Sequence, residues 1–391
     1  MKLSKYFLLT LIFTISICIS CEKQSKHNVI HSFCHWQTNM QSGSYVDSVN
    51  SKLNVKHIYL RFFDVDWNPY QNEALPVASL NNNNFNNQNN LNSITASVFI
   101  TNNVLLKSDY KQLDTLAIRL VKKVNFKIAS LIENGIKNDI WELNNKHNWP
   151  SNEEFDKMFS KDSLDQALNT KYGNFFKELL IDCDWTDKTK ERYFYLLTKI
   201  KNQFKLYPRL KENTLAATIR LWQYKHFGKA GVPPVDRGLL MCYNVNPLGE
   251  SPNINSIGSY KDIKEFITHD DYPLKLDIAL PIFSWAVIYR GNKYIGLIND
   301  YEVLSNKSLF QKVSENEYKL LDDYSVGQTF LREGDLIVIE KISHADNLEV
   351  IKLLKNYIEF DKSSKITLFS FDNKYINNYG IENISDLYTN F

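Results

Sequence analysis

The segment 178–186, ELLIDCDWT, sets two carboxylates, Asp182 and Asp184, two residues apart at the end of a short apolar run. In a β-strand residues i and i+2 point to one face, so the two acids project together. A helix pattern, TKERYFYLLTKIKNQF, follows at once. The acids therefore stand at the C-terminal mouth of a β–α unit, where barrel and open α/β enzymes gather their chemistry. A carboxyl pair in such a mouth suits glycosidic-bond chemistry: separations of about 5–5.5 Å imply retention and about 6.5–9.5 Å inversion.

Other strand-like runs end in similar residues. His35 and Trp36 close the first run. Arg61, Asp64, Asp66 and Trp67 belong to the second, and Trp185 follows Asp184. Arg220, Trp222 and Gln223 close another run, then Tyr243 and Asn244, then Ser284 and Trp285. Five of the seven tryptophans follow a strand-like run directly, a bias toward a ligand surface. Aromatic faces beside carboxylates and amides suit a sugar, which offers C–H faces and hydroxyls together. Asp184 leads as the functional carboxylate, with Asp182 setting its orientation or pKa and Asp64 or Asp66 as partner acid or base. Plainer roles stand beside these. Asp64 and Asp66 suit turn caps, and His35 a hydrogen-bonded wall residue. Arg61 and Arg220 lie in apolar strands and call for an aspartate partner, which would be architectural if the pair is closed. Asp236, in the rigid stretch GVPPVDRG, suits an ion pair with Arg237 or a neighbour.

The elements that must position these residues alternate. Strand-like runs occur at 30–36, 57–65, 94–100, 179–183, 215–221, 237–243, 274–284 and 365–371, with a further one at 335–340. Leu116, Leu120, Val124 and Ile128 mark a long helix over 112–134 by their four-residue spacing. Alternating β and α runs with wholly apolar strands imply a parallel sheet covered by helices. Eight such strands predict an α/β fold, a (β/α)8 TIM-type barrel with loop insertions, over 30–391. The insertions fall near 68–93, which holds an Asn-rich low-complexity stretch at 80–92, and near 286–334, with a hairpin arm at 294–298 and loop elsewhere. An open doubly wound sheet is the alternative, but no glycine-rich phosphate turn supports it.

Lys2 and Lys5 precede an apolar run of signal-peptide length that ends Cys18-Ile19-Ser20-Cys21. This run resembles a bacterial lipobox. Residues 1–20 are then a signal peptide, Cys21 the lipidated residue and 21–29 a polar tether, and the membrane is a partner through that lipid. The expected location is the cell envelope, on its periplasmic face or surface. About 370 residues remain after processing, enough for one large domain with insertions. The formal net charge is +2 with no basic run, so nucleic acid is not an expected partner. Cys34, Cys183 and Cys242 each sit in apolar sequence and read as buried thiols. Neither CxxC nor HExxH occurs, and no cofactor is implied.

Three of these strands resemble those of family 18 glycoside hydrolases, the chitinase-like barrels, whose pattern is D-x-x-D-x-D-x-E. Its four fixed positions fall here on Leu179, Asp182, Asp184 and Thr186. Met241-Cys242-Tyr243-Asn244 is similar to that family's M-x-Y-D, and Ala279-Leu280-Pro281-Ile282-Phe283 to its glycine-leucine-proline strand. The chain as a whole resembles a group of Bacteroidetes lipoproteins with barrel folds, which implies no activity. In the chitinase-like enzymes the Glu protonates the leaving oxygen and the neighbouring Asp orients the acetamido group. Thr186 stands in the position of that Glu, and losing a positioned acid removes about 10²–10⁴-fold of rate. Three readings stay open: a glycosidase with acids drawn from strands two and four, a non-catalytic glycan-binding lipoprotein, and a metal-binding barrel. In the last, His35, Asp64, Asp66, Asp182 and Asp184 would cage Ca²⁺ or Mg²⁺.

Overall fold

The computed structural model describes residues 29–39, 43–81, 91–147, 175–299, 301–327 and 329–391. The signal peptide, Cys21, nearly all of the tether and most of the Asn-rich stretch lie outside the described residues.

Short apolar runs become parallel strands here because each is buried on both faces. In chain order the first strands are β1 (Ile30–His35), β2 (His57–Asn68), β3 (Glu73–Val77), β4 (Ser93–Ile100), β5 (Phe176–Asp182), β6 (Thr214–Arg220), β7 (Arg237–Met241) and β8 (Leu276–Pro281), all parallel but β3, which runs antiparallel to β2. There follow β9 (Ser284–Arg290), β10 (Lys293–Ile298), β11 (Phe310–Lys312), β12 (Glu317–Leu320), β13 (Tyr324–Val326), β14 (Thr329–Leu331), β15 (Leu336–Lys341) and β16 (Lys365–Phe369). The parallel order is β1-β16-β8-β7-β6-β5-β4-β2, and β2 pairs back onto β1. That pairing closes an eight-stranded α/β barrel, the fold expected from the eight apolar runs.

Strand alternation sorts side chains between the barrel interior and the helix layer. Phe33, Ile181, Ile219, Leu240, Leu280 and Leu368 are buried in one apolar cluster with Leu196, Ile200 and Val350 of the helices. The helix Lys190–Phe204 buries Tyr193, Leu196, Leu197, Ile200 and Phe204, spacings that form a single stripe. The long helix runs over Tyr110–His147 and buries Leu116, Leu120, Val124 and Ile128.

The N-terminal end of the barrel is closed by a buried polar network. Lys365 donates to Glu178 Oε1 at 2.9 Å and Asp277 Oδ2 at 3.1 Å, and Arg237 donates to Asp277 Oδ1 at 2.8 Å. Tyr59 donates its hydroxyl to Asp277, and Thr95 to Glu178. His57 bridges Ser32 and Thr95 at 2.8 Å to each. Burial, with Lys365 nearby, holds its imidazole well below the ordinary range. Two carboxylates face two cations, so the network is balanced in charge.

Two stretches differ from expectation. The second strand runs on to Asn68 and folds back through β3, with Asp66 opposite Leu75 and Trp67 opposite Ala74. Asp66 and Trp67 are thus part of a hairpin arm and not of a strand end. The stretch read as mostly loop between the seventh and eighth barrel strands instead forms a five-stranded antiparallel sheet, β10-β9-β15-β12-β11, with β13 and β14 paired beside it. It has its own core of Ala286, Ile288, Ile298, Leu304, Phe310, Leu320, Leu331 and Ile337. Several of its strands are three or four residues long, too short for periodicity to stand out in the sequence.

Candidate functional site

A cavity of about 250 Å³ opens at the C-terminal mouth of the barrel. Its walls follow the two-residue strand period. Cys34 and Trp36 line it from β1 and just past its end, as do Leu180, Asp182 and Asp184 from β5 and just past it, Thr218 and Arg220 from β6, and Leu239, Met241 and Tyr243 from β7 and just past it. Arg61, Asp64, Phe99, Asn244 and Phe369 complete it. Phe369 forms an aromatic floor: its ring lies 5.0 Å from Tyr243, stacked, and 5.9 Å from Trp36.

The acids of this mouth are not equivalent. Arg61 grips Asp64 with two donors, Nε to Oδ1 at 2.7 Å and Nη2 to Oδ2. Its Nη1 donates to the Trp36 carbonyl at 2.9 Å and its guanidinium lies 5.1 Å from the Trp36 ring centroid. With side chains 16% and 12% exposed, this pair belongs to the wall. Arg220 holds Asp184 in the same fork, Nε to Oδ1 and Nη2 to Oδ2 at 2.6 Å, but this pair is 37% and 42% exposed. Among the described residues Asp182 has no cation partner within ion-pair distance. Its Oδ1 accepts from Thr218 at 2.7 Å. Burial pushes its carboxyl up to about 7, and Asp184 adds to the rise, against the Thr218 bond and Arg220.

Several other predicted residues stand elsewhere. Asp66 accepts from the Trp67 backbone at 2.8 Å and from Thr101 at 2.6 Å, so it ties the hairpin to the end of β4. Trp67 is half-buried, packed on the barrel core outside the cavity. Trp185 is 4% exposed, stacked on Tyr193 at 5.0 Å, with its indole N–H on the Ala230 carbonyl at 3.4 Å. Apolar area drives this ring under the helix layer and away from the mouth. Gln223 accepts from the Arg220 backbone at 2.9 Å and donates to the Trp185 carbonyl at 3.1 Å, a local cap. Trp222 sits on the surface beside Lys229, 41% exposed and outside the cavity lining. Trp285 lies in the first strand of the inserted sheet and donates to Glu340 at 2.9 Å. His35 is buried and stacked at 6.2 Å on Phe371, and burial pushes its imidazole down to about 4.

The five-residue metal cage is therefore not assembled. Guanidinium groups occupy Asp64 and Asp184, and Asp66 is bonded to Thr101. Among the described residues no three His, Cys, Asp or Glu side chains are grouped to hold a metal ion. Cys34, Cys183 and Cys242 are buried free thiols. Asp236 pairs with Lys201 and accepts from the Leu215 backbone at 2.7 Å.

Sequence reasoning missed Thr218, Phe99 and Phe369, and each had a signal. Thr218 lies two residues before Arg220 on β6, so the period of two brings both to one wall, and Phe99 and Phe369 stand at the C-terminal ends of β4 and β16. Thr186 is exposed, with its backbone N–H on Thr189 Oγ1 at 2.9 Å, and it starts the turn into Lys190–Phe204.

No protein-family model matches the chain, and no curated protein matches it. Among solved structures, it is similar to the spore cortex-lytic enzyme SleL of Bacillus cereus. That match has 12% identity over 94% of this chain and 75% of that one, with a TM-score of 0.46. A chitinase from Bacteroides thetaiotaomicron is similar at 12% identity over 92% of this chain and 96% of that one, with a TM-score of 0.43. The tamarind chitinase-like lectin is similar at 11% identity over 91% of this chain and 98% of that one, with a TM-score of 0.38. Each is a likeness in fold, and the closed barrel of this chain stands on its own strand pairings.

Proposed function

We propose that the chain is a non-catalytic carbohydrate-binding barrel, held at a bacterial cell envelope by a lipid on Cys21. The observation that carries this reading is the condition of the mouth acids. Hydrolysis of a glycosidic bond by the common route needs two working carboxyls across a cleft. Asp64 and Asp184 are each forked by an arginine, and Thr186 only starts the turn into the helix Lys190–Phe204. That leaves Asp182 as a single acid with no free partner. The same cavity keeps what recognition needs: an aromatic floor in Phe369, Trp36 and Tyr243 beside charged and amide groups that fix orientation. The lipid anchor rests on the Lys2, Lys5 and Cys18-Ile19-Ser20-Cys21 pattern.

The test is paired. Purified protein is screened by calorimetry against oligosaccharides, and the same sugars are incubated with it and analysed for cleavage. Saturable binding without cleavage is the expected result; cleavage that Asp182→Asn abolishes would return the protein to the glycosidases. In the host cell, Cys21→Ser is expected to move the protein from the membrane to the soluble fraction. Continued membrane retention would remove the anchor from this reading.

A further inference from the structure

We propose that the mouth cavity selects an uncharged sugar and reads two neighbouring hydroxyls of it with the outer edge of the Asp184–Arg220 pair. This rests on the carbohydrate-binding reading and narrows it to a ligand class. A guanidinium carries five N–H donors and a carboxylate about four lone-pair sites. The fork between Arg220 and Asp184 uses Nε and one Nη2 donor on the two oxygens. Donors on Nη1 and Nη2 and further lone pairs on Asp184 remain, side by side, on a pair 37% and 42% exposed that lines the cavity. A donor fixed beside an acceptor matches a vicinal diol, in which each hydroxyl both gives and takes a hydrogen bond. The Arg61–Asp64 pair lacks this capacity. Arg61 Nη1 is already on the Trp36 carbonyl, its face lies on the Trp36 ring, and the pair is mostly buried.

Charge decides the rest. Each cation in the cavity wall is matched by its own aspartate, and Asp182 adds a third carboxyl without a cation. A uronate or sulfated sugar would meet no unpaired positive group, and Asp182 would repel it whenever ionised. A neutral ring instead lays its C–H face on Phe369 and its hydroxyl edge on Arg220 and Asp184.

Calorimetry on the full-length chain would use three probe sets: neutral gluco-, galacto- and manno-oligosaccharides, oligouronates, and the best neutral binder deoxygenated at single hydroxyls. A neutral sugar should bind in preference to the oligouronates, and removal of either hydroxyl of one vicinal pair should weaken it about 10-fold or more. Asp184→Asn and Arg220→Gln should each weaken it about 10–100-fold, the range of a hydrogen bond to a charged group. Arg220→Lys should weaken it similarly, because lysine keeps the charge but loses the fork. Tighter binding of oligouronates, or deoxy sugars that bind as well as the parent, would overturn the diol reading while leaving carbohydrate binding intact. Full affinity in Arg220→Lys would reduce Arg220 to a point charge and overturn it too. If no sugar binds at all, the carbohydrate reading itself fails. The deoxy series needs no variant, so it decides even if a substitution unfolds the barrel.

Discussion

A carboxyl group moved from water into a barrel wall loses more as an anion than as an acid, and Asp182 carries that penalty with the Thr218 bond and the nearby Arg220 charge to offset part of it. The sign of the consequence follows from where its protons sit. Between the ordinary carboxylate value of about 3.9 and the folded value of about 7, the folded chain holds a proton that the unfolded chain has released. Stability from this group is thus full below about pH 4, falls as pH rises toward 7, and is level above it. Asp182→Asn keeps an acceptor for Thr218 and removes the titration. Its melting temperature should gain on the parent between pH 4 and pH 8, on the order of 2–4 °C for each kcal/mol the parent loses. A constant gap across that range would mean that Asp182 titrates normally. At this scale the sequence was partly legible. Arg61 and Arg220 stood in apolar strands, and a buried guanidinium must find a carboxylate, so their partners were foreseeable. The tryptophans were less so: a ring that follows a strand can turn into the mouth or under the helix layer. Trp36 did the first and Trp185 the second.

Elements were more readable than residues, for a physical reason. A parallel strand covered on both faces is an apolar run, so eight runs separated by helix patterns already implied the barrel. The network that closes its lower end left no such trace. Glu178, Arg237, Asp277 and Lys365 stand near the starts of four different strands, β5, β7, β8 and β16, and only closure of the sheet makes them neighbours. Their dependence on one another can be tested at Lys365, which bonds both carboxylates. Lys365→Met fits the stem but leaves Glu178 buried without a cation in bonding contact, since Arg237 bonds Asp277. The expected loss is about 3–5 kcal/mol in urea unfolding, the scale for a buried pair stripped of one partner. Adding Glu178→Gln to Lys365→Met should recover part of it, because the uncompensated charge is then gone. Equal unfolding midpoints for the parent and Lys365→Met would make the network a spectator.

The whole molecule joins the two sheets through the segment between β7 and the helix Tyr260–Lys264, the same segment that brings Asn244 to the cavity. The inserted sheet holds it at several points. Tyr289 donates to the Ser251 carbonyl at 3.1 Å, and Asn255 donates to the Lys341 carbonyl at 2.8 Å. Gly249, at φ +74°, lies so close to the Tyr294 ring that an added Cβ would stand 2.4 Å from it. At the centre is Glu340, 3% exposed, which accepts from the Ser256 backbone at 3.0 Å, the Ser256 hydroxyl and the Trp285 indole. Trp285 in turn packs on Phe283, whose ring lies 5.5 Å from Phe369 on the cavity floor. The inserted sheet therefore braces one wall of the mouth. Glu340→Ala strands three donors, at about 1–3 kcal/mol for each group left buried and unbonded. Amide exchange over residues 251–258 should then accelerate while the barrel strands β4 to β6 keep their protection. Sugar affinity should fall with it, because the rim that carries Asn244 is no longer fixed. Glu340→Gln, which retains an oxygen for the same donors, should sit between the two. If Glu340→Ala loosens the inserted sheet but leaves exchange at 251–258 and sugar affinity unchanged, the mouth is a property of the barrel alone.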